Sequence, residues 1–456
     1  MSTSRDLRID FAGGDAGTAA ATWGQHAIWD VVRTLGSDAP RYNVSVSSPV
    51  TPAMPVSHVL DSIRPLIGLH ESLRTRLQAD EDGLRQVVDA AGQIPVVVRD
   101  CAADDDVAAE SAAQYTELAG LPFDFAGEWP IRVGLVAVDG LVRNIALSLS
   151  HTAVDAWGMR RLALNMAAIS LGEPVDQLRE RLPSMQPRTE AEFQASDRGR
   201  RLDANARQHW IRKLRLGPEH LFSTRTPGSA ELPWPHAVLN SPALAIAAES
   251  VAAGHQVSTS SVVLAAASAM VSRLSGAPDA AFQIVVNNRF LPGLANAVST
   301  LAQEGLFHFP VVDKDFAEVV RRTHRITLNT YRNSYYDKHL LDVDIERAGD
   351  DGGMVGDHSC FFNDVRYLMR VAPDAQAPAE PLAKALSRTT FRWSHDCEPR
   401  PDVTFAVDLL DAPGAIELVM VADGGLIPRP DMERFLCGIE DLVVGEAVAL
   451  GYDRDR

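Results

Sequence analysis

Asp139-Gly140 stands between two apolar runs, Ile131 to Val138 and Val142 to Ser150, and this punctuation constrains the chain more than any other feature. Asp-Gly accepts the positive φ angles of a tight hairpin turn, so an antiparallel strand pair is predicted over 131–138 and 142–150. Side chains alternate faces along a strand. Ile145, Leu147, Leu149 and His151 therefore share one face, and Ala146, Ser148 and Ser150 the other. The second strand delivers His151 four residues ahead of Asp155, the expected N-cap of a helix. In that helix Leu162, Met166 and Ile169 recur at helical spacing until Gly172 and Pro174 stop it. A histidine that continues a hydrophobic face where a strand ends occupies a partly dry site. There it is either a base or hydrogen-bond acceptor, or a core histidine satisfied by a backbone carbonyl.

At 456 residues the chain exceeds the size at which a single core stops growing, so two lobes are expected. Hydrophobic residues at 46% and charged residues at 23% match a globular protein. The formal net charge of -17 argues against nonspecific binding to nucleic acid or anionic membranes, which needs basic surface. Cys101, Cys360, Cys397 and Cys437 are far apart, with neither metal-ligand spacing nor a disulfide framework. No bound metal is expected, and reduced thiols in a cytoplasmic protein are. The N-terminus lacks a signal-peptide core, and no run approaches the roughly 18 apolar residues of a membrane span.

Helices are expected over about 21–36, ending at Gly36, and over Ser57 to Gly68, with Ser57 as cap and Pro65 shortening or kinking it. A hairpin is expected from Leu73 to Gln78 and Leu84 to Val88 around Asp82-Gly83, followed by an exposed helix over Ala102 to Ala119. The polar stretch from Leu182 to Asp197, with Pro183 and Pro187, reads as a linker. Beyond it, Ala204 to Leu216, Ser258 to Leu274, Val319 to Tyr336 and Met432 to Val444 read as helices. Ala280 to Val286 reads as a strand, and Val403 to Leu410 with Ile416 to Val421 as a hairpin. Strands and helices interleave without a regular βα period, which favours α+β over a doubly wound sheet.

Ser150-His151-Thr-Ala-Val-Asp155-Ala156-Trp157 resembles the His-His-x-x-x-Asp-Gly signature of condensation domains from nonribosomal peptide synthetases, with Ser150 for the first histidine and Ala156 for the glycine. Further landmarks of that family follow in order. Thr22-Trp-Gly-Gln25-His-Ala-Ile-Trp29 resembles its opening element, and His70-Glu-Ser-Leu-Arg74-Thr75 its His-Glu-x-Leu-Arg-Thr segment. Pro122-Phe-Asp-Phe125, Asn288-Arg289-Phe290, Cys360-Phe-Phe-Asn363 and Asp402-Val-Thr-Phe405 resemble later ones. The resemblance implies two chloramphenicol-acetyltransferase-like lobes in a V-shaped pseudo-dimer with a central tunnel. Residues 1–182 would form the lobe carrying the histidine motif, 183–200 the linker and 201–456 the second lobe.

The resemblance also implies the chemistry. Condensation domains transfer an acyl or aminoacyl group, held as a thioester on the phosphopantetheine arm of an acyl- or peptidyl-carrier protein, to an amine or hydroxyl. A thioester is already activated, so end-to-end positioning supplies much of the acceleration and one imidazole suffices as base. His151 is the expected catalytic residue, and Ser150 points away from it. Asp155 is expected to be structural, paired with Arg289 so that the loop carrying His151 is held in place. Ala156 adds a Cβ close to the substrate path. No bound cofactor is expected, because the arm arrives with a carrier protein acting in trans. Arg198, Arg200, Arg201, Arg207, Arg212, Lys213 and Arg215 form either a carrier-docking face or a solvated helix face, with Arg160 and Arg161 as alternative contacts. Three functions are compatible with these residues. They are a free-standing condensation enzyme of natural-product biosynthesis, a catalytically silent module that recruits a partner protein, and a coenzyme A-dependent acyltransferase. His151 and Asp155 favour an enzyme; the missing first histidine and glycine favour the silent module.

Overall fold

The computed structural model describes residues 3–12, 14–81, 83–225, 234–311, 315–350, 355–366, 380–400 and 402–452. Contacts divide the chain into two compact units. The first comprises Met1–Arg201, Asn287–Ala302 and Asp337–His339; the second comprises Leu202–Val286, Gln303–Tyr336 and Leu340–Arg456. Chain order assigned Asn287–Ala302 to the second lobe, whereas its contacts group it with the first unit.

The first unit opens with β1 (Thr3–Ala12), β2 (Gly17–Ala20), α1 (Trp23–Leu35), β3 (Val44–Pro55) and α2 (Val56–Leu69). It continues with β4 (Thr75–Asp80), β5 (Gly83–Val88), β6 (Ala91–Cys101), α3 (Val107–Ala119), β7 (Ile131–Val138) and β8 (Leu141–Leu149). Next come α4 (Ala156–Ser170), α5 (Val175–Arg181) and α6 (Pro187–Ala195), and then α7 (Asp197–Leu214), of which all but the first five residues belong to the second unit. β1-β6-β7-β8-β3 form a five-stranded sheet, antiparallel except between β6 and β7, and β2-β5-β4 a smaller one. The β7–β8 hairpin turns through Asp139 and Gly140 at φ 52° and 75°, the two positive angles that Asp-Gly signalled. Ile145, Leu147 and Leu149 join the core with α2 and α4, including Ile63, Ile67 and Leu162. The opposite face lies beneath α3, where Gly134 leaves room for Gln114 and Leu118.

Three local expectations give way to packing. Pro65 sits inside α2 without ending it, and the cap position is Pro55 rather than Ser57. The helix expected from Ala102 starts only at Val107, where Asp106 accepts from the amides of Ala108 and Ala109. Leu73 and Arg74 belong to a 3-10 turn, so the β4–β5 hairpin begins at Thr75; Asp82 lies outside the described residues. The polar stretch read as a linker folds as α6 and is wired into the first unit. Arg188 pairs with Glu71 at 2.6 Å, Gln194 accepts from the Trp23 amide at 3.1 Å, and the Met185 amide donates to the Gly293 carbonyl at 2.8 Å. Its polarity serves these bonds, not solvation.

The second unit holds β9 (His236–Ser241), α8 (Pro242–His255), α9 (Thr259–Ser275), β10 (Asp279–Val286), β11 (Gln303–Pro310), α10 (Phe316–Arg332) and α11 (Lys338–Asp350). It ends with β12 (Cys360–Asp364), α12 (Leu382–Leu386), β13 (Thr390–Trp393), β14 (Phe405–Ala412), β15 (Ala415–Ala422) and α13 (Arg429–Ala449). Seven strands order as β11-β10-β12-β14-β15-β9-β13, so β13 is an edge. α8, α9 and α13 bury alanine and valine faces against it, around Phe282, Phe307, Phe405 and Phe435. α9 runs from its Ser258 cap to Gly276 at φ 71°, which ends the helix in the left-handed conformation. No single helix among the described residues is long and apolar enough to cross a membrane.

Candidate functional site

Local chemistry starts the site. Thr22 and Gln25 form a reciprocal capping box: the Gln25 amide donates to Thr22 Oγ1 at 3.2 Å, and the Thr22 amide to Gln25 Oε1 at 2.9 Å. The opening Thr-x-x-Gln element is therefore a helix start. It is followed by Gly24, where a Cβ would lie 2.1 Å from the Thr300 carbonyl oxygen. Only glycine lets the first turn of α1 lie against segment 297–302. Gly158 does the same from α4, where a Cβ would meet Val154 at 2.7 Å and the Ser299 carbonyl at 3.1 Å.

That segment returns the contact to Asp155. One carboxylate oxygen takes Arg289 Nη2 at 2.8 Å and the Gly158 amide at 2.7 Å. The other takes Arg289 Nη1 at 2.8 Å and the amides of Leu301 and Ala302, each at 2.9 Å. Asp155 is thus both an N-cap and half of a bidentate ion pair, and it is fully buried. Burial alone would raise its pKa. The Arg289 charge and hydrogen bonds, with the amides of Gly158 and Leu301, reverse this and hold it below the usual carboxylate range. Arg289 in turn donates to the carbonyls of Ala297 and Ser299, both at 3.2 Å. Aspartate and arginine lie 134 residues apart, and both belong to the first unit.

His151 sits in the turn between β8 and α4. The strand itself ends at Leu149, so the alternation expected to aim His151 does not reach it. The turn sets its position instead. The Ser150 hydroxyl bonds Thr152 Oγ1 at 2.8 Å, and the Ser150 carbonyl accepts from Ala153 at 2.9 Å. Ser150 is buried in this network, while the imidazole of His151 is half-buried. Its Nδ1 lies 3.4 Å from Thr300 Oγ1, and the Tyr42 ring stands 6.2 Å away, centroid to centroid. Burial pushes its pKa below the usual imidazole value, partly opposed by a hydrogen bond to its own carbonyl and by the Asp155 charge. The product is a neutral imidazole in a fixed pose, able to accept a proton at neutral pH.

Thr300 and Tyr42 were not legible in the sequence, because neither sits in a recognisable pattern and both reach His151 only through packing. Ala156 is exposed and Trp157 half-buried at the start of α4, so the added methyl of Ala156 meets no crowding within the unit. His70 and Arg74 are buried apart from His151. His70 Nε2 accepts from Asn165 Nδ2 at 3.0 Å, and Arg74 donates to the carbonyls of Asp15 and Asp89. Of the basic run on α7, Arg207 pairs with Asp203 and Asp344, and Lys213 donates to the His308 carbonyl. Arg198, Arg200, Arg201, Arg212 and Arg215 are exposed.

Comparison with known proteins places this geometry. A family model described as "Condensation domain" matches residues 16–379. A protein of Salinispora arenicola described as "Probable non-canonical nonribosomal peptide synthetase (NRPS) CymA" is 30% identical over 148 residues, which is 32% of this chain and 2% of that protein. The isonitrile lipopeptide synthase of Mycobacterium tuberculosis is 23% identical over 329 residues, 68% of this chain and 13% of that one. The chain thus spans a small fraction of these relatives. Among solved structures, the condensation domain of the monacolin K polyketide synthase MokA superposes with a TM-score of 0.69 at 14% identity, covering 96% of this chain and 98% of that one. The epimerization domain of the third module of tyrocidine synthetase B gives 0.68 at 10% identity, over 96% and 99%. The SgcC5 protein of Streptomyces globisporus, in complex with a naphthyl ethanediol and sucrose, gives 0.64 at 17% identity, over 96% and 100%. These likenesses show the fold to be α+β and chloramphenicol-acetyltransferase-like. With the family match over most of its length, the chain belongs to the condensation-domain family.

Proposed function

We propose that this chain is a condensation enzyme that moves an acyl or aminoacyl group from a carrier-protein thioester to an amine or alcohol in natural-product biosynthesis. The observation that carries the reading is His151, a neutral imidazole held by a turn whose far end is anchored through Asp155. In the reaction, the acceptor nitrogen or oxygen attacks the thioester carbonyl carbon while the His151 imidazole takes the proton it loses. The tetrahedral intermediate collapses, the C–S bond breaks, and the phosphopantetheine thiolate leaves, taking the proton back from the His151 imidazolium. Removal of the nucleophile's proton by a positioned base is worth about 10²–10⁴-fold. The arm and its acyl group come with an acyl- or peptidyl-carrier protein, so the chain needs no cofactor of its own. The diol bound to the SgcC5 protein supports an alcohol as one acceptor class.

Ser150 and Ala156, where the family motif has histidine and glycine, favour a second reading, a silent module that recruits a partner protein. Intact-mass analysis of loaded carrier proteins, incubated with the chain and a panel of amines and alcohols, separates the two. The proposal expects the acyl mass to leave the carrier and appear on one acceptor class. Stoichiometric binding of a partner with no transfer to any acceptor would leave the recruitment module instead.

A further inference from the structure

We propose that His236, His395 and Cys397 form a binding site for a borderline-soft divalent metal ion of the zinc class, clipping the edge of the seven-stranded sheet. Their donor atoms all lie within 4.8 Å of one another. His236 opens β9, and the other two follow the edge strand β13. Backbone pairing fixes them: the Ser394 amide donates to the His236 carbonyl at 2.8 Å, and Trp234 and Cys397 exchange amide–carbonyl bonds at 2.9 and 2.8 Å. The cluster therefore follows from strand register.

Each side chain is poised for coordination. His236 Nδ1 stands 4.0 Å from Cys397 Sγ, at the limit for a sulfur contact, and its Nε2 is buried with no hydrogen-bond partner among the described residues. The half-buried imidazole of His236 has no strong bond at either nitrogen among the described residues, and a metal at Nδ1 would supply one. The hydroxyl of Ser394 lies 3.2 Å from His395 Nδ1. This is the outer hydrogen bond that orients a ligating histidine and directs Nε2 to the metal. One thiolate and two imidazoles suit zinc, with bonds of about 2.0–2.3 Å. Such bonds require the donors to draw together by about an ångström, and the exposed His395 has the freedom to do so. Two neighbouring guanidiniums are already engaged: Arg429 with Asp396 at 2.6 Å, and Arg392 with Glu417 at 3.7 Å. Binding releases the Cys397 thiol proton, and solvent takes the fourth position.

The clip has a consequence within the second unit. Trp234, Pro399 and Arg400, adjacent in sequence to the ligands, line a cavity of about 850 Å³ together with Phe222, His358 and Thr404. A bound ion would set one wall of that cavity.

The test uses the full chain after chelator treatment, titrated with Co²⁺ and with Zn²⁺. The expected result is one equivalent bound, with a thiolate-to-cobalt charge-transfer band that Zn²⁺ displaces. Cys397→Ser should abolish the band, and His395→Ala should weaken binding about tenfold or more, with circular dichroism unchanged in both. Absence of stoichiometric binding, or undiminished binding in both variants, would overturn the site. His395 is exposed, so its variant remains informative should Cys397→Ser prove unstable.

Discussion

His151 and His70 are both histidines of the first unit whose pKa is pushed down by burial, yet their surroundings differ. His70 is sealed, 2% exposed, and its pKa falls to about 3, from burial first and the Arg161 charge second. Its Nε2 is occupied by Asn165. His151 is half-exposed, in the turn between β8 and α4. A depressed pKa is therefore not a signature of function, since burial produces it in both. Solvent access distinguishes the candidate base from the core histidine, whose Nδ1 is buried without a hydrogen-bond partner among the described residues. The supports differ as well: packing holds His70, whereas a polar anchor holds the loop of His151.

The largest effect should come from breaking that anchor. Asp155→Ala leaves the buried Arg289 guanidinium and the amides of Leu301 and Ala302 unmatched, a loss of about 3–5 kcal/mol in unfolding free energy together with a loss of activity. Arg289→Ala should be of similar size. The double variant should cost little more than either alone, because contacting residues couple by about 0.5–3 kcal/mol. A double-mutant cycle on the unfolding midpoint and the rate reads this out, and strict additivity would reject the anchor.

His151→Ala should lower turnover about 10²-fold or more, roughly 2.7 kcal/mol of activation free energy, with the unfolding midpoint little changed. His70→Ala should do the reverse. It leaves the Asn165 amide without its acceptor and costs about 1–3 kcal/mol of stability, while turnover per folded molecule stays within a few-fold. Measuring both quantities on both variants tests the comparison directly; a folded His151→Ala protein with full turnover would break it.

Acid separates them again. His70 binds its proton more readily unfolded, near pH 6.5, than folded, near 3. The stability it contributes is therefore complete above pH 6.5 and drains away as pH falls toward 3. His70→Ala should flatten that part of the stability curve. The depressed pKa of His151 instead places the acid limb of the rate below pH 6.5, and His151→Ala should remove it. The smallest effect belongs to Ser150→Ala. It loses a 2.8 Å bond to Thr152, worth about 1 kcal/mol, and should change the rate only a few-fold. A loss matching that of His151→Ala would bring the hydroxyl into the chemistry.

Much of the first unit was legible because its signals are local. Asp139-Gly140 gave the hairpin, Asp155 the helix cap, and Gly36 the end of α1 at φ 56°. Pro65 misled because a proline inside a helix can be outweighed by the core that Ile63, Leu66 and Ile67 enter. The 183–200 stretch misled because polarity marks internal wiring as readily as solvent. Cys397 was read as lacking metal-ligand spacing because His236 lies some 160 positions away, at β9.

By itself the sequence determined what depends on backbone angles and neighbours within about four residues: the strand pair, the caps, and a histidine placed just ahead of a helix. The Asp155–Arg289 pairing entered through resemblance to a family, not through any spacing. Only the tertiary structure decided that Thr300 and Tyr42 flank His151 and that the Leu301 and Ala302 amides close on Asp155. It also decided that His236 meets Cys397. Such contacts join residues more than a hundred positions apart. They form because burying the sheets' apolar faces fixes strand order and register, and with them which distant polar groups must satisfy one another.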